Sequence, residues 1–252
     1  MAFVMLELRS LSKSFGGLLA TADVSLAVPE GRIVSLIGPN GAGKTTLFAI
    51  ASGFLTPDSG SIHFLGQDVT GLPPHEICRL GLVRTFQVVK PFAEQSVREN
   101  ILVGAHLRRA GHRDAAEKAD EVAELVGMTG RMDDLAGSLT IAGRKRLELA
   151  KALATEPKLL LLDEVMAGLN PTEIEEIIPV IHRLRDSGLT IMLIEHVMQA
   201  VMKLSEYTWV LNQGRLIAEG SPQQIARDPA VIEAYLGHGL AARIEAENRA
   251  NA

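Results

Sequence analysis

The chain has 252 residues, 47% of them apolar and 22% charged, with a formal net charge of −5. That length carries one large α/β core, or a core with a small second lobe, and the composition is that of a globular protein. The acidic balance argues against a nucleic-acid partner, no apolar run approaches the roughly 20 residues of a membrane helix, and the single Cys78 excludes an internal disulfide.

Taken in chain order, the first third is rich in strand signals. Residues 4–9, 24–28, 33–37 and 61–65 are short strand candidates separated by Gly, Pro and Asp. The opening residues are too few, and carry their charge on the wrong side, for a secretory signal, and one free cysteine fits a reducing compartment. Cys78 reads as a small residue on a helix. From residue 88 to 156 the texture is helical. Ser96-Val97-Arg98-Glu99 is a capping-box pattern, and 115–126 has helical apolar spacing. Two unalternated apolar runs, 159–162 and 191–194, suit central parallel strands covered on both faces. Between them Asn170-Pro171-Thr172-Glu173 offers an N-cap, a first-turn proline and an acid. Segments 207–211 and 215–218 flank Asn212-Gln213-Gly214 as a hairpin, and 241–252 reads as a frayed helical tail.

The most informative segment follows the strand at 33–37. Gly38-Pro39-Asn40-Gly41-Ala42-Gly43-Lys44-Thr45-Thr46 satisfies the spacing G-x-x-x-x-G-K-[ST] and opens a helix. Amide groups at a helix start point at an anion, and the dipole favours negative charge there. Lys44 is expected to reach the outer phosphates of a nucleotide and the Thr45 hydroxyl to hold Mg²⁺. Gly41 and Gly43 are expected to let the backbone approach phosphate oxygens.

Further along, 158–164 ends a buried strand in Asp163 and Glu164. Open parallel sheets place ligands at the carboxyl ends of their strands, so Asp163 is expected to assist the metal and Glu164 to orient or deprotonate the attacking water. Ile194-Glu195-His196 repeats the arrangement and leaves His196 at a strand end. Gln87, at the junction with the helical stretch, is expected to coordinate Mg²⁺ or donate to that water.

These residues, in this order, resemble the ATPase subunits of ATP-binding-cassette (ABC) transporters. Residues 38–45 resemble the Walker A loop, Gln87 the Q-loop glutamine, 160–164 Walker B with its catalytic glutamate, 167–170 the D-loop and His196 the switch histidine. Phe15 falls where that family stacks an aromatic ring on adenine. The phrases at 15–20, 83–87, 167–171 and 231–237 look narrower, similar to the ATPases of branched-chain amino-acid importers, with part of the pattern shared by the lipopolysaccharide-export ATPase. The resemblance implies an α/β fold: a P-loop NTPase (RecA-like) core with an N-terminal antiparallel β subdomain and an inserted α-helical subdomain. It implies one ATPase domain, with core segments 1–87 and 157–240, helical segment 88–156 and a tail beyond 240. It also implies a homodimer or heterodimer with a second ABC ATPase subunit, ATP and Mg²⁺ at the interface, and two membrane-spanning permease subunits docked near Gln87. An extracellular solute-binding protein completes such an import system, with this subunit cytoplasmic and peripheral on the inner face of the membrane.

The pattern departs from the family at the signature, expected as Leu-Ser-Gly-Gly-Gln. Here it reads Leu139-Thr140-Ile141-Ala142-Gly143. Thr140 keeps the hydroxyl expected to meet the partner's nucleotide, with Ala142 beside it, but two glycines are lost. Arg144-Lys145-Arg146 places three cations at a helix start, where the dipole disfavours them, so Arg144 is expected to be offset by phosphate across the dimer. Val165 stands where most relatives have proline, and Asn170 where many have aspartate. Three other readings compete with an importer ATPase: a lipid or lipopolysaccharide exporter, a slow ATP-dependent clamp, and a DNA-repair ATPase of the same superfamily. The last needs a long coiled coil between Lys44 and Leu139, and no sustained heptads occur there.

Overall fold

The computed structural model describes residues 3–236. β1 (Val4–Phe15) and β2 (Leu18–Pro29) form a long antiparallel hairpin that turns at Gly16 and Gly17, both at positive φ. Along β2, Val24, Leu26 and Val28 are buried while Asp23, Ser25 and Ala27 face out. This period-2 pattern is that of a sheet with one wet face. β4 (Ser59–Phe64) and β5 (Gln67–Asp68) complete a four-stranded sheet in the order β2-β1-β4-β5.

The second sheet has six strands in the order β10-β9-β3-β8-β7-β6. β3 (Ile33–Ile37), β7 (Leu159–Asp163) and β8 (Thr190–Ile194) are buried at every position, which explains their unbroken apolar runs. β6 (Leu82–Arg84) and β9 (Tyr207–Asn212) flank them in parallel, and β10 (Arg215–Gly220) returns antiparallel through the expected hairpin. Successive side chains feed two cores. Ile33, Leu160, Leu162, Ile191 and Leu193 pack on one face, while Val34, Leu36, Leu159, Leu161 and Met192 pack on the other.

The second of these faces is covered by the antiparallel sheet and by α1 (Lys44–Ala51); Phe48 and Leu47 are fully buried there. The first is covered by α6 (Pro171–Asp186), α7 (Met198–Leu204) and three helices between β6 and β7: α3 (Val97–Ala105), α4 (His112–Leu125) and α5 (Ile141–Ala154). α2 (Pro74–Leu80) carries Cys78, and α8 (Pro222–Ile225) and α9 (Pro229–Leu236) follow β10. The fold is therefore the expected α/β P-loop architecture, with an antiparallel sheet at one side and a helical insert.

Several boundaries differ from expectation. β1 and β2 are 12 residues each, longer than the segments that mark them, because their hairpin ends are exposed and carry no alternating buried pattern. β5 and β6 are too short to leave a periodic signal. The first residues of the expected helical stretch, from 88 to 96, are irregular. The expected tail at 241–252, and residues 237–240 of the core segment, lie outside the described residues.

Candidate active site

The phosphate loop joins the carboxyl end of β3 to the first residue of α1, as the sequence requires. No side chain caps α1, so its first amides have no protein acceptor at that end. The glycines divide into two kinds. A Cβ on Gly38 would lie 1.9 Å from the Leu211 carbonyl oxygen, and one on Gly43 would lie 2.1 Å from that of Ala20. The protein's own backbone thus demands both, which gives Gly43 a reason beyond the approach of a ligand. At Gly41 (φ +80°) a Cβ would meet nothing within 4 Å, so this is the glycine that leaves room for a ligand.

Lys44 is buried at 6% exposure, and its ammonium donates to the carbonyls of Gly38 (2.7 Å) and Pro39 (3.0 Å). Burial lowers its pKa, opposed by the charges of Glu164 and Asp163. A phosphate beside it would oppose that shift further. The loop 38–46 lines a cleft of about 1160 Å³ together with Phe15, Gln87, Glu164 and His196. Phe15 is 46% exposed at the tip of β1, and the Lys13 ammonium lies 5.7 Å from its ring centre. Asp58 fixes that tip by accepting from the Lys13 ammonium and from the Ser14 amide and hydroxyl. These bonds draw the Asp58 pKa down to about 2.

Glu164 lines this cleft, and Asp163 lines an adjoining cavity that shares Thr45 and Gln87 with it. Asp163 ends β7 at 1% side-chain exposure, where one carboxylate oxygen accepts from Arg84 at 2.6 Å. Its other oxygen, Oδ1, is buried without a partner. An orphaned anionic acceptor this deep is costly unless something fills it, and a hard cation fits. Thr45, Gln87 and Asp163 are the residues that could hold a divalent cation here; among the described residues no cluster of three or more acidic, His or Cys side chains offers another metal centre. Glu164 sits at φ +49°, an uncommon backbone state for a non-glycine residue that turns its side chain into the cleft. Its carboxylate accepts from the Gln87 amide at 2.5 Å and lies 3.9 Å from His196 Nδ1. Glu164, Gln87 and His196 are thus grouped beside the phosphate loop. The site joins anion-binding amides, a metal position and a carboxylate able to take a proton from water.

Sequence reasoning missed four participants. Arg84 pairs with Asp163 and lies 5.4 Å from the Phe86 ring centre. Lys145 reaches back from α5 into this region, and Glu195 is fully buried between β8 and His196. Tyr235 lines the cleft from α9, where its hydroxyl accepts from the Gly38 amide. Arg84 and Tyr235 lie inside the phrases at 83–87 and 231–237, and Lys145 inside the run of three cations, but none of these patterns showed which side chain turns inward.

Comparison with known proteins matches this geometry. The family profile described as ABC transporter matches residues 21–167, more than half of the chain. The chain belongs to the ABC transporter family. It is an ATPase of that family and binds nucleotide. A second profile, described as branched-chain amino acid ATP-binding cassette transporter, matches residues 215–241. Among relatives, the chain is 43% identical to the high-affinity branched-chain amino acid transport ATP-binding protein BraF of Pseudomonas aeruginosa, over 92% of this chain and 98% of that one. It is 42% identical to LivG of Escherichia coli, over the same shares. The lipopolysaccharide export system ATP-binding protein LptB of Acidithiobacillus ferridurans is 35% identical, over 92% of this chain and 97% of its own. A crystal structure of a nucleotide-free ATP-binding cassette from an ABC transporter superposes with a TM-score of 0.86 at 32% identity, covering 93% of this chain and all of that one.

The signature of this ABC ATPase starts α5. Thr140 is its N-cap, and its hydroxyl oxygen accepts from the Gly143 amide at 3.2 Å. The Thr140 O–H is left free to donate outward. Ile141 stands 61% exposed on the same turn, within van der Waals reach of the space beside Gly168 in the D-loop. Asn170 caps α6 in a reciprocal box with Glu173. The three cations after the signature take separate partners within the chain. Arg144 donates to the Gly137 carbonyl while its Nε stays buried and unpartnered, and Arg146 reaches the Val126 carbonyl and Glu176.

Proposed function

We propose that this ABC ATPase powers import of branched-chain amino acids, or a related small polar solute, through two membrane-spanning permease subunits. The observation that carries the hydrolytic half is the Glu164 carboxylate, held at 2.5 Å by Gln87 beside the phosphate loop. The match of residues 215–241 to the branched-chain profile supports the substrate class. In this reading the amides of 41–46 and the Lys44 ammonium bind the phosphates, and Phe15 stacks on adenine. Thr45, Gln87 and Asp163 would hold Mg²⁺, which when bound would supply neutralising charge at the outer phosphates. Glu164 takes a proton from the attacking water, and His196 and Gln87 fix the orientation of that water.

A second ABC ATPase subunit, identical or not, closes the site by presenting Thr140 and Ala142 to the nucleotide. The helix start and hydroxyl there supply charge stabilisation in the transition state. No helix among the described residues is long and apolar enough to cross a membrane. A peripheral seat on the cytoplasmic face of the membrane follows from the permease partners. Exposed Phe86, Val88 and Phe92 around Gln87 give those permeases an apolar landing surface. An extracellular solute-binding protein delivers the substrate. The whole chain acts as one ATPase domain with residues 88–156 as its helical insert.

Two observations favour other readings. The relationship to LptB favours lipid export. The bulky Ile141 in the signature favours slow turnover, because a glycine there permits closer approach to the opposite nucleotide. Uptake of labelled leucine, isoleucine or valine into vesicles that carry this chain, its permeases and its binding protein separates them. ATP-driven uptake is expected, abolished by Glu164→Gln, which still binds ATP and accumulates as a closed dimer on size exclusion. Absence of uptake would reject the import reading, and hydrolysis by Glu164→Gln at the parental rate would reject the role of Glu164.

A further inference from the structure

We propose that Lys145 is a positioning residue that locks the main chain of Gln87 and Glu164, fixing the two side chains that handle the attacking water. The inference rests on the ATPase reading of this site. Lys145 lies two residues beyond the signature on α5, yet it is only 6% exposed, because its stem runs inward. Its ammonium donates to the Glu164 carbonyl at 2.8 Å and to the Gln87 carbonyl at 3.3 Å. Both acceptors belong to irregular backbone: Glu164 has positive φ, and Gln87 follows the end of β6. The Glu164 carbonyl also accepts from the Ala167 amide of its own turn at 3.1 Å, and neither carbonyl belongs to a strand or helix. A single three-donor group joins them, and the side chains of the same two residues meet at 2.5 Å on the cleft side. The loop pair is therefore clamped from both sides, by Lys145 behind and by its own side chains in front.

A buried ammonium persists only where charge compensates it. Compensation comes from Glu164, Asp163 and, most strongly, Glu195. Glu195 is fully buried, gives one carboxylate oxygen to the Met166 amide, and leaves Oε2 without a partner. The charges of Glu195, Glu164 and Asp163 all favour the charged form of Lys145. A neutral side chain of equal length would fill the space, release the Gln87 carbonyl and leave the Glu164 carbonyl to the Ala167 amide alone. The turn that ends in Lys145 begins with Thr140, so one rigid piece of helix spans the surface meant for the partner's nucleotide and the water-handling residues of its own subunit.

The test compares Lys145→Met and Lys145→Arg with the parent chain. Loss of a charge-assisted clamp is expected to lower kcat by about tenfold to a hundredfold in Lys145→Met, with the KM for ATP unchanged. In the nucleotide-free protein, amides at 85–90 and 164–167 are expected to exchange with solvent about tenfold faster, while those of α5 keep their protection. Lys145→Arg keeps donors within reach and is expected to restore most of both. Unchanged kcat and exchange in Lys145→Met would overturn the proposal, as would a loss confined to KM. If Lys145→Met folds poorly, Lys145→Gln, which retains one donor group, must fall between the parent and complete loss, and parity with the parent overturns the idea. A parent chain that neither binds nor hydrolyses Mg-ATP would instead remove the ATPase reading itself.

Discussion

Glu195 carries a strongly perturbed ionisation that geometry explains. Burial pushes its pKa from 4.5 to about 7, and the Met166 amide and Lys145 recover only part of the shift. Between those two pH values the folded protein holds a proton that the unfolded chain has released. Folding takes up a proton there, so this group's contribution to stability declines as pH rises from 4.5 towards 7 and is flat above it. A shift of that size corresponds to at most about 3 kcal/mol. Glu195→Gln is therefore expected to melt higher than the parent at pH 8 and to lose that advantage at pH 5. Parallel melting curves for the two proteins across that range would contradict the assignment. None of this was legible in the sequence, where Glu195 is one acid beside the more conspicuous His196. A carboxylate that faces solvent and one that faces Lys145 look alike as letters. The phosphate loop is the opposite case, since Gly38 to Thr46 must sit in sequence to act together. Only the reasons for its glycines were hidden, because Leu211 and Ala20, which forbid a side chain at Gly38 and Gly43, come from distant segments.

Local signals did best where one element satisfies itself. Ser96 accepts from the Glu99 amide while the Glu99 carboxylate accepts from the Ser96 amide, the reciprocal pattern expected from the spelling alone. Ser96→Ala leaves that helix start without its acceptor and is expected to lower stability by about 1 kcal/mol without altering nucleotide affinity, measured by denaturant melts and a binding titration. A loss of affinity instead would mean that α3 bears directly on the site. The apolar strands were legible for a related reason. β3, β7 and β8 are covered on both faces, so no alternation was needed to recognise them. What failed was length. β6 has three residues and β5 two, and only pairing with neighbours makes them strands. Pairing is a property of the sheet, so no window of sequence displays it. Likewise, 88–96 follows the course set by Asn100, which donates to the Phe92 carbonyl and accepts its amide.

At the scale of the whole molecule, two cores on opposite faces of one parallel sheet hold three strand ends level. The ends of β3, β7 and β8 bring Lys44, Glu164 and His196 to one mouth, with Asp163 in the adjoining cavity, although they are far apart in the chain. The fold thus converts residues separated by sequence into a single anionic-ligand site, and the order of motifs already foreshadowed that convergence. The partner face, in contrast, is a property of two chains, and the signature at Thr140 and Ile141 shows only one half of it. The central claim is that this mouth grips the phosphates of an adenine nucleotide through a cation and a divalent metal. Calorimetric titration of ATP into the parent chain and into Lys44→Ala, each with and without Mg²⁺, tests it most directly. Magnesium-strengthened binding by the parent and its loss in Lys44→Ala are expected; equal affinities in all four titrations, or no binding by the parent, would contradict it.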